Sequence, residues 1–179
     1  MTWKLDMAHS AIEFSVRHMM VSTVKGHFRE FSADLELDPD DLTKSSVRAV
    51  VKTASIDTRE PQRNGHLVSA DFFEVEKYPE MVFQSTRVEH VGGDRYRVTG
   101  DLTIKDVTRQ ITLDVTHLGT QTSPYGVKAA GFEASASISR KDFGLTWNVG
   151  LEAGGVLVGD EVKISIDAEA NLVDEAATA

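Results

Sequence analysis

The sequence has no cysteine and only four prolines in 179 residues. Without cysteine there are no disulfide bonds, no thiolate metal sites and no cysteine nucleophile. Basic residues are also few, because 19 lysines and arginines stand against 28 aspartates and glutamates, giving a formal net charge of −9. An acidic chain repels phosphate backbones, so we expect no nucleic-acid partner.

Long apolar segments are missing as well. No stretch approaches the roughly 18 apolar residues that a membrane-spanning helix needs, so we expect no stable membrane insertion. Residues 1–6 lack the basic and apolar regions of a secretory signal, which predicts a cytoplasmic protein. Since no Pro-, Ser- or Gly-rich linker divides the chain, we predict one domain over residues 1–172 and a short C-terminal tail over residues 173–179.

Alternation of apolar and polar residues is the dominant pattern. From Ile12 to Met20, apolar residues and His18 share one face. Similar alternation predicts further strands at 46–55, 82–90, 95–108, 110–118, 128–139 and 161–171. About eight long strands leave two exposed edges unless the sheet closes. We therefore predict an all-β fold, a single eight-stranded antiparallel β-barrel, with one or two short helices in the 58–78 connection.

Signatures of catalysis and metal binding are absent. No metal-ligand spacing joins the six histidines, and neither GxSxG nor a phosphate-binding glycine loop occurs. The paired acids Asp38, Asp40 and Asp41 indicate an exposed turn, where nothing raises a carboxyl pKa. We therefore expect a protein that is not an enzyme and that has no metal and no cofactor.

Apolar side chains form two notable groups. The phenylalanines and Trp147 lie mostly at strand-face positions, where they fill a β core or line a cavity, and the pattern leaves both open. The segment 145–158 has one charge, Glu152, among leucines, valines and glycines. Such a segment predicts a loop at a cavity mouth or a dimer contact. His18, on an apolar face, is either a hydrogen-bonded core residue or a polar contact at a cavity.

Several motifs together resemble the YceI-like family of lipid-binding, lipocalin-like barrels. They span about residues 2 to 170 in the family's order: Trp3-x-Leu5-Asp6-x-x-His9-Ser10-x-Ile12-x-Phe14-x-Val16-x-His18; Ser55-Ile56-Asp57-Thr58; Arg63-x-x-His66-Leu67; Asp71-Phe72-Phe73 with Tyr78-Pro79; Phe83-x-Ser85-Thr86; Gly100-x-Leu102-Thr103-Ile104-x-x-Val107-Thr108; Gly131-Phe132; and Ser139-Arg140-x-Asp142-Phe143-Gly144. The chain departs from the family pattern at Asn64, which replaces an Asp, and at Ala33 and Asp106, which each replace a Gly.

The resemblance implies a lipocalin-like barrel that holds a long polyisoprenoid, commonly as a homodimer, and relatives are often exported. We therefore expect non-catalytic binding, transport or sequestration of a polyisoprenoid or isoprenoid quinone. One alternative is a barrel packed with its own side chains, acting as a stress-response or scaffolding protein. A second alternative is a lipid-modifying enzyme with histidine as acid–base.

The expected ligand contacts fall into an apolar wall and a few polar groups near the ligand head. The wall residues are Phe14, Val16, Phe28, Phe31, Phe72, Phe83, Leu102, Ile104, Leu113, Phe132, Phe143, Leu145 and Trp147. The polar candidates are His18, His66, Ser85 and Arg140. A chain of about 40 carbons, gaining about 0.3 kcal/mol per heavy atom, would bind with about −12 kcal/mol, which is roughly nanomolar.

Overall fold

A computed structural model describes residues 2–174, and most of them lie in β-strands. The strands are β1 (Thr2–Leu5), β2 (Ala11–His18), β3 (Ser22–Phe28), β4 (Phe31–Glu36), β5 (Ser46–Lys52), β6 (Ile56–Asp57), β7 (Glu80–Gly92), β8 (Arg95–Ile104), β9 (Val107–Thr122), β10 (Lys128–Ser139) and β11 (Val158–Val173). Helix α1 spans Pro61–Leu67, and short 3-10 helices span Met7–His9, Leu42–Lys44, Thr53–Ser55 and Arg140–Phe143.

The strands close into a barrel with eight positions around its wall. The hydrogen-bonded order runs β1-β4-β5-β7-β8-β9-β10-β11, and β11 pairs back with β1. Strands β1 and β2 pair with successive parts of β11 and together occupy one position in the wall. Strand β3 pairs with β2 and leads into β4. Strand β6, which follows β5 in the chain, also pairs with β3. All these pairings are antiparallel, so the predicted eight-stranded barrel is confirmed.

Several predicted boundaries agree with the structure, and others are wrong for identifiable reasons. Strand β10 spans the predicted residues 128–139, and α1 lies inside the predicted helical connection. The predicted strand 95–108 is wrong, because the chain turns at Lys105, whose φ is +57°, without the glycine or proline that usually marks a turn. The predicted strand 46–55 ends at Lys52, where a 3-10 turn begins.

The two ends of the described chain also differ in detail from the expectation. The first strand, β1, was not predicted, since four residues are too few to show alternation. Strand β11 extends to Val173, one residue into the predicted tail, and residues 175–179 lie outside the described residues. Among residues 2–174 no helix is long and apolar enough to cross a bilayer.

Two apolar clusters lie toward opposite ends of the barrel. The first is at the end of the β8–β9 turn and contains Phe28, Phe72, Ile104 and Phe143, which is 1% exposed. The second surrounds Trp3, where β1 meets β11, and includes Ala130 and Ala170.

Candidate functional site

An apolar cavity of about 320 Å³ lies inside the barrel. Its wall consists of residues that face inward on alternating positions, such as Leu113 and Val115 on β9 or Ile164 and Ile166 on β11. Cavities of roughly 300–1,000 Å³ are typical of small-molecule sites. The barrel is therefore not filled by its own side chains, which argues against the packed alternative.

Nine of the seventeen predicted contact residues line this cavity. They are Phe14, Phe28, Phe31, Phe83, Leu102, Ile104, Leu113, Phe132 and Leu145. Sequence reasoning missed other wall residues, among them Met81, Val98 and Ile164. The last two follow from strand alternation, whereas Met81 is the second residue of a strand whose start at Glu80 the sequence places two residues too late.

The other four apolar candidates, Val16, Phe72, Phe143 and Trp147, are not among the residues that line the cavity. Phe72 and Trp147 pack together with 5.5 Å between ring centroids, and both belong to the apolar cluster that Phe143 helps to form. These aromatic residues therefore close one end of the barrel, and their contact with a ligand stays a prediction.

All four polar candidates also lie outside the cavity wall, and each has structural partners. The His66 ring lies 4.5 Å from the Trp147 ring, and its Nε2 is 2.8 Å from an Asp71 carboxylate oxygen. The Ser85 hydroxyl oxygen accepts the Val47 N–H at 2.9 Å. His18 ends β2, and its carbonyl accepts from the Ser22 hydroxyl. Their predicted role at a ligand head remains untested.

Arg140, the fourth polar candidate, is 4% exposed and bonds to the backbone of the segment that follows it. Its guanidinium donates to the carbonyls of Leu145 at 2.6 Å, Gly159 at 2.8 Å and Trp147 at 2.9 Å, with a longer bond to Val158. Burial lowers the pKa of Arg140, and Asp160, 3.9 Å away, opposes this. These bonds hold the 145–158 segment in place, and of that segment only Leu145 lines the cavity.

A polar network joins β6 to α1 and accounts for one departure from the family pattern. The Asn64 amide oxygen accepts from the Thr58 N–H at 2.8 Å and the Thr58 hydroxyl at 2.6 Å, while its NH₂ donates to Asp57 at 3.2 Å. A carboxylate at position 64 has no proton to donate to Asp57. Bonds from the Arg59 N–H, from Asn64 and from Arg29 hold the pKa of Asp57 at about 2.

The cavity wall carries almost no charge. Within the described chain no lysine, arginine or histidine lines the cavity, and the acids that border it, Glu13 and Asp167, each lie between two inward-facing residues, so their exposed carboxylates face outward. The wall is therefore suited to hold an apolar molecule.

A group of possible metal ligands lies on the outer surface near the start of the chain. Asp6, His9 and Glu169 bring their ligand atoms within 4.8 Å of one another. His9 Nδ1 is 2.8 Å from Asp6, and this bond, together with Glu169, raises the pKa of His9. The ion pairs account for the cluster without a metal.

Comparison with known proteins agrees with this geometry. The YceI-like domain model matches residues 3–170. A UPF0312 protein of Staphylococcus epidermidis is 39% identical over 168 residues, covering 93% of this chain and 95% of that protein. The crystal structure of Burkholderia cenocepacia BcnA superposes with a TM-score of 0.79 at 28% identity, covering 92% of this chain and 98% of that one.

A third likeness is to a polyisoprenoid-binding domain from Saccharophagus degradans, with a TM-score of 0.68 and coverage of 96% of this chain and 99% of that one. The identity is 17%, so this likeness shows the fold alone. The matched family model and the S. epidermidis relative cover nearly the whole barrel. This chain is a member of the YceI-like family.

Proposed function

We propose that this protein binds the apolar chain of a neutral amphiphile, a polyisoprenoid or an isoprenoid quinone, inside its barrel and carries or sequesters it unchanged. The observation that carries the proposal is the cavity inside the barrel, whose wall is almost wholly apolar. The fold is also that of a polyisoprenoid-binding domain from another organism, which supports the same ligand class.

The apolar wall determines which part of the ligand contributes most to affinity. Ring and branched side chains such as Phe83, Leu102 and Ile111 surround the space, so a methyl-branched prenyl chain would be removed from water on all sides. A gain of about 0.3 kcal/mol for each heavy atom then makes affinity increase with prenyl length until the cavity is full.

The lack of cations in the wall determines which head groups are accepted. Since no lysine, arginine or histidine of the described chain lines the cavity, a diphosphate head would find no cation to pair with and would lose its hydration. Two basic residues lie nearby on the outer face, where His27 pairs with Glu13 and Lys163 with Ser15, but neither lines the cavity. We therefore expect a neutral head, as in a polyprenol or a quinone.

The test compares three ligands that share one prenyl length: a polyprenol, a quinone and a polyprenyl diphosphate. The two neutral ligands should bind at least about tenfold more tightly than the diphosphate, a difference of about 1.4 kcal/mol. Tighter binding of the diphosphate would contradict the head-group assignment. Failure of all three to bind would contradict the proposed function itself.

Two further parts of the proposal concern assembly and location. The family resemblance makes a homodimer the expected assembly, and sedimentation velocity at several protein concentrations tests it. A cytoplasmic location is tested by fractionating cells that express the native gene. Neither outcome changes the assignment of the cavity.

A further inference from the structure

The closed barrel wall has one interrupted seam, between the β1/β2 position and the β3/β4 position. Pairing of β1 with β4 ends at Lys4 and Asp34, and pairing of β2 with β3 begins at Ile12 and Phe28. The seven residues 5–11 on one side and the five residues 29–33 on the other therefore lie between the last β1–β4 pair and the first β2–β3 pair. Within the described chain, no hydrogen bond or ion pair joins residues 6–10 to residues 30–32.

Each side of this seam is bonded to the strand behind it instead. Asp6 N–H donates to the Glu169 carbonyl at 2.8 Å, and the Ser10 hydroxyl oxygen accepts the Glu169 N–H at 3.1 Å. Across the seam, the Glu30 carbonyl accepts the Lys52 N–H at 2.9 Å. The two sides are thus anchored in opposite directions, and separating them breaks no bond between them.

The cavity lies directly behind this seam. Leu5 and Ser10 line it from one side of the seam, and Phe31 and Ala33 line it from the other. Ser32, between Phe31 and Ala33, is exposed on the outer face. Within the described chain, no hydrogen-bonded strand pair therefore separates the cavity from solvent at this point.

Side chains and a loop stand at the two ends of the barrel. One end holds the cluster of Phe28, Phe72 and Phe143. At the other end lies the loop 37–45, whose residues Leu37, Leu42 and Ser45 line the cavity. Within that loop the Asp38 carboxylate accepts the N–H groups of the residues at 40 and 41, at 3.0 and 3.1 Å, and the Asp38 N–H donates to Ser45 at 3.0 Å.

We propose that the seam between residues 6–10 and 30–32, the side mouth, is the route by which the apolar cargo enters and leaves the barrel. This inference rests on the proposed function and adds the route to it. A long chain passing sideways through the wall meets the apolar interior over its whole length. Passage through either end would require the aromatic cluster or the bonded loop to move.

The absence of cysteine makes a direct test possible. A single cysteine is introduced as Ser32→Cys and labelled with a bulky polyethylene-glycol maleimide. Ser137→Cys, at an exposed position on β10 that does not line the cavity, receives the same label as the matched control. Lys44→Cys places the label on the loop that covers the barrel end. Glu13→Cys places it on β2, just beyond the opposite side of the side mouth, in case the Ser32 variant folds poorly.

Uptake of a short-chain isoprenoid quinone is followed by stopped-flow quenching of tryptophan fluorescence, and its affinity is measured at equilibrium. The label at position 32 or 13 should slow uptake and release together by about tenfold or more and leave the affinity nearly unchanged, because a gate alters rates in both directions. The label at position 137 should change neither rate. Slowing by the label at position 44 alone, or equal rates for all labelled proteins, would overturn the side mouth. No uptake by the unlabelled protein would overturn the proposed function, and the side mouth with it.

Discussion

Filling the cavity from within distinguishes an empty barrel from a packed one, and Ala134 is the position for it. Ala134 lines the cavity from the middle of β10, between Val115 on β9 and Ile166 on β11, which also face inward. The change Ala134→Phe places a ring in the space that the ligand would occupy. If the ring fills about 80 Å³ of the cavity, the free energy of unfolding should rise by up to about 2 kcal/mol, at about 24 cal/mol per Å³ of cavity filled.

In a close-packed interior the same change would destabilise the fold by about 1–3 kcal/mol, because the extra atoms force neighbours apart. The assay is urea unfolding of the ligand-free protein, together with binding of a polyprenol. We expect Ala134→Phe to equal or exceed the stability of the parent protein while binding becomes undetectable. The control is Ser135→Phe on the exposed face of β10, which should change stability by less than about 0.5 kcal/mol and leave binding intact. A destabilised Ala134→Phe protein with unchanged binding would refute the cavity assignment.

Three further changes probe the supports around the barrel. Met19 and Met20 form the turn of the β2–β3 hairpin, with φ of +51° and +63°. Since asparagine and glycine adopt positive φ more readily, Met19→Asn with Met20→Gly should raise the free energy of unfolding, measured in urea, by about 1–2 kcal/mol. No gain would contradict the inferred strain. Arg140→Met removes the donor from four carbonyls and should cost about 3 kcal/mol or more; a near-neutral result in the same assay would contradict its structural role. The pKa of Asp57 is lowered from 3.8 to about 2, so its stabilising effect is complete above about pH 4 and is lost as the pH falls toward 2. When the free energy of unfolding is measured against pH, Asp57→Asn should reduce its fall between about pH 4 and 2. Asp114→Asn, at an exposed site, should show the same fall as the parent protein.

The barrel was predictable because its signal is repeated along the chain. Alternation over 128–139 gives β10 to the residue, and the same pattern identifies the inward faces of β8, β9 and β11. The turn at Lys105 was missed because its left-handed residue is a lysine and no glycine or proline marks it, and the break in alternation at Asp106 is the one local sign of it. Strand closure itself follows from physics, because eight strands without partners at the edges would expose unpaired backbone groups.

The site was predicted less completely than the fold. The wall residues of central strands follow from alternation, so Phe83, Leu102 and Leu113 were found. The polar candidates were chosen because polar residues on apolar faces suggest function, yet Arg140 and Ser85 bond to backbone groups. The side mouth depends on where pairing stops between distant segments, which a single sequence does not encode in any local pattern.

The most direct test of the central claim is organic extraction of the protein purified from its native cells, followed by mass spectrometry, with native mass spectrometry of the intact protein alongside. We predict a neutral polyprenyl lipid or isoprenoid quinone in about one-to-one amount, lost in the Ala134→Phe variant. A protein that is free of lipid, and that remains so after incubation with a long-chain polyprenol and with a quinone, would contradict the account.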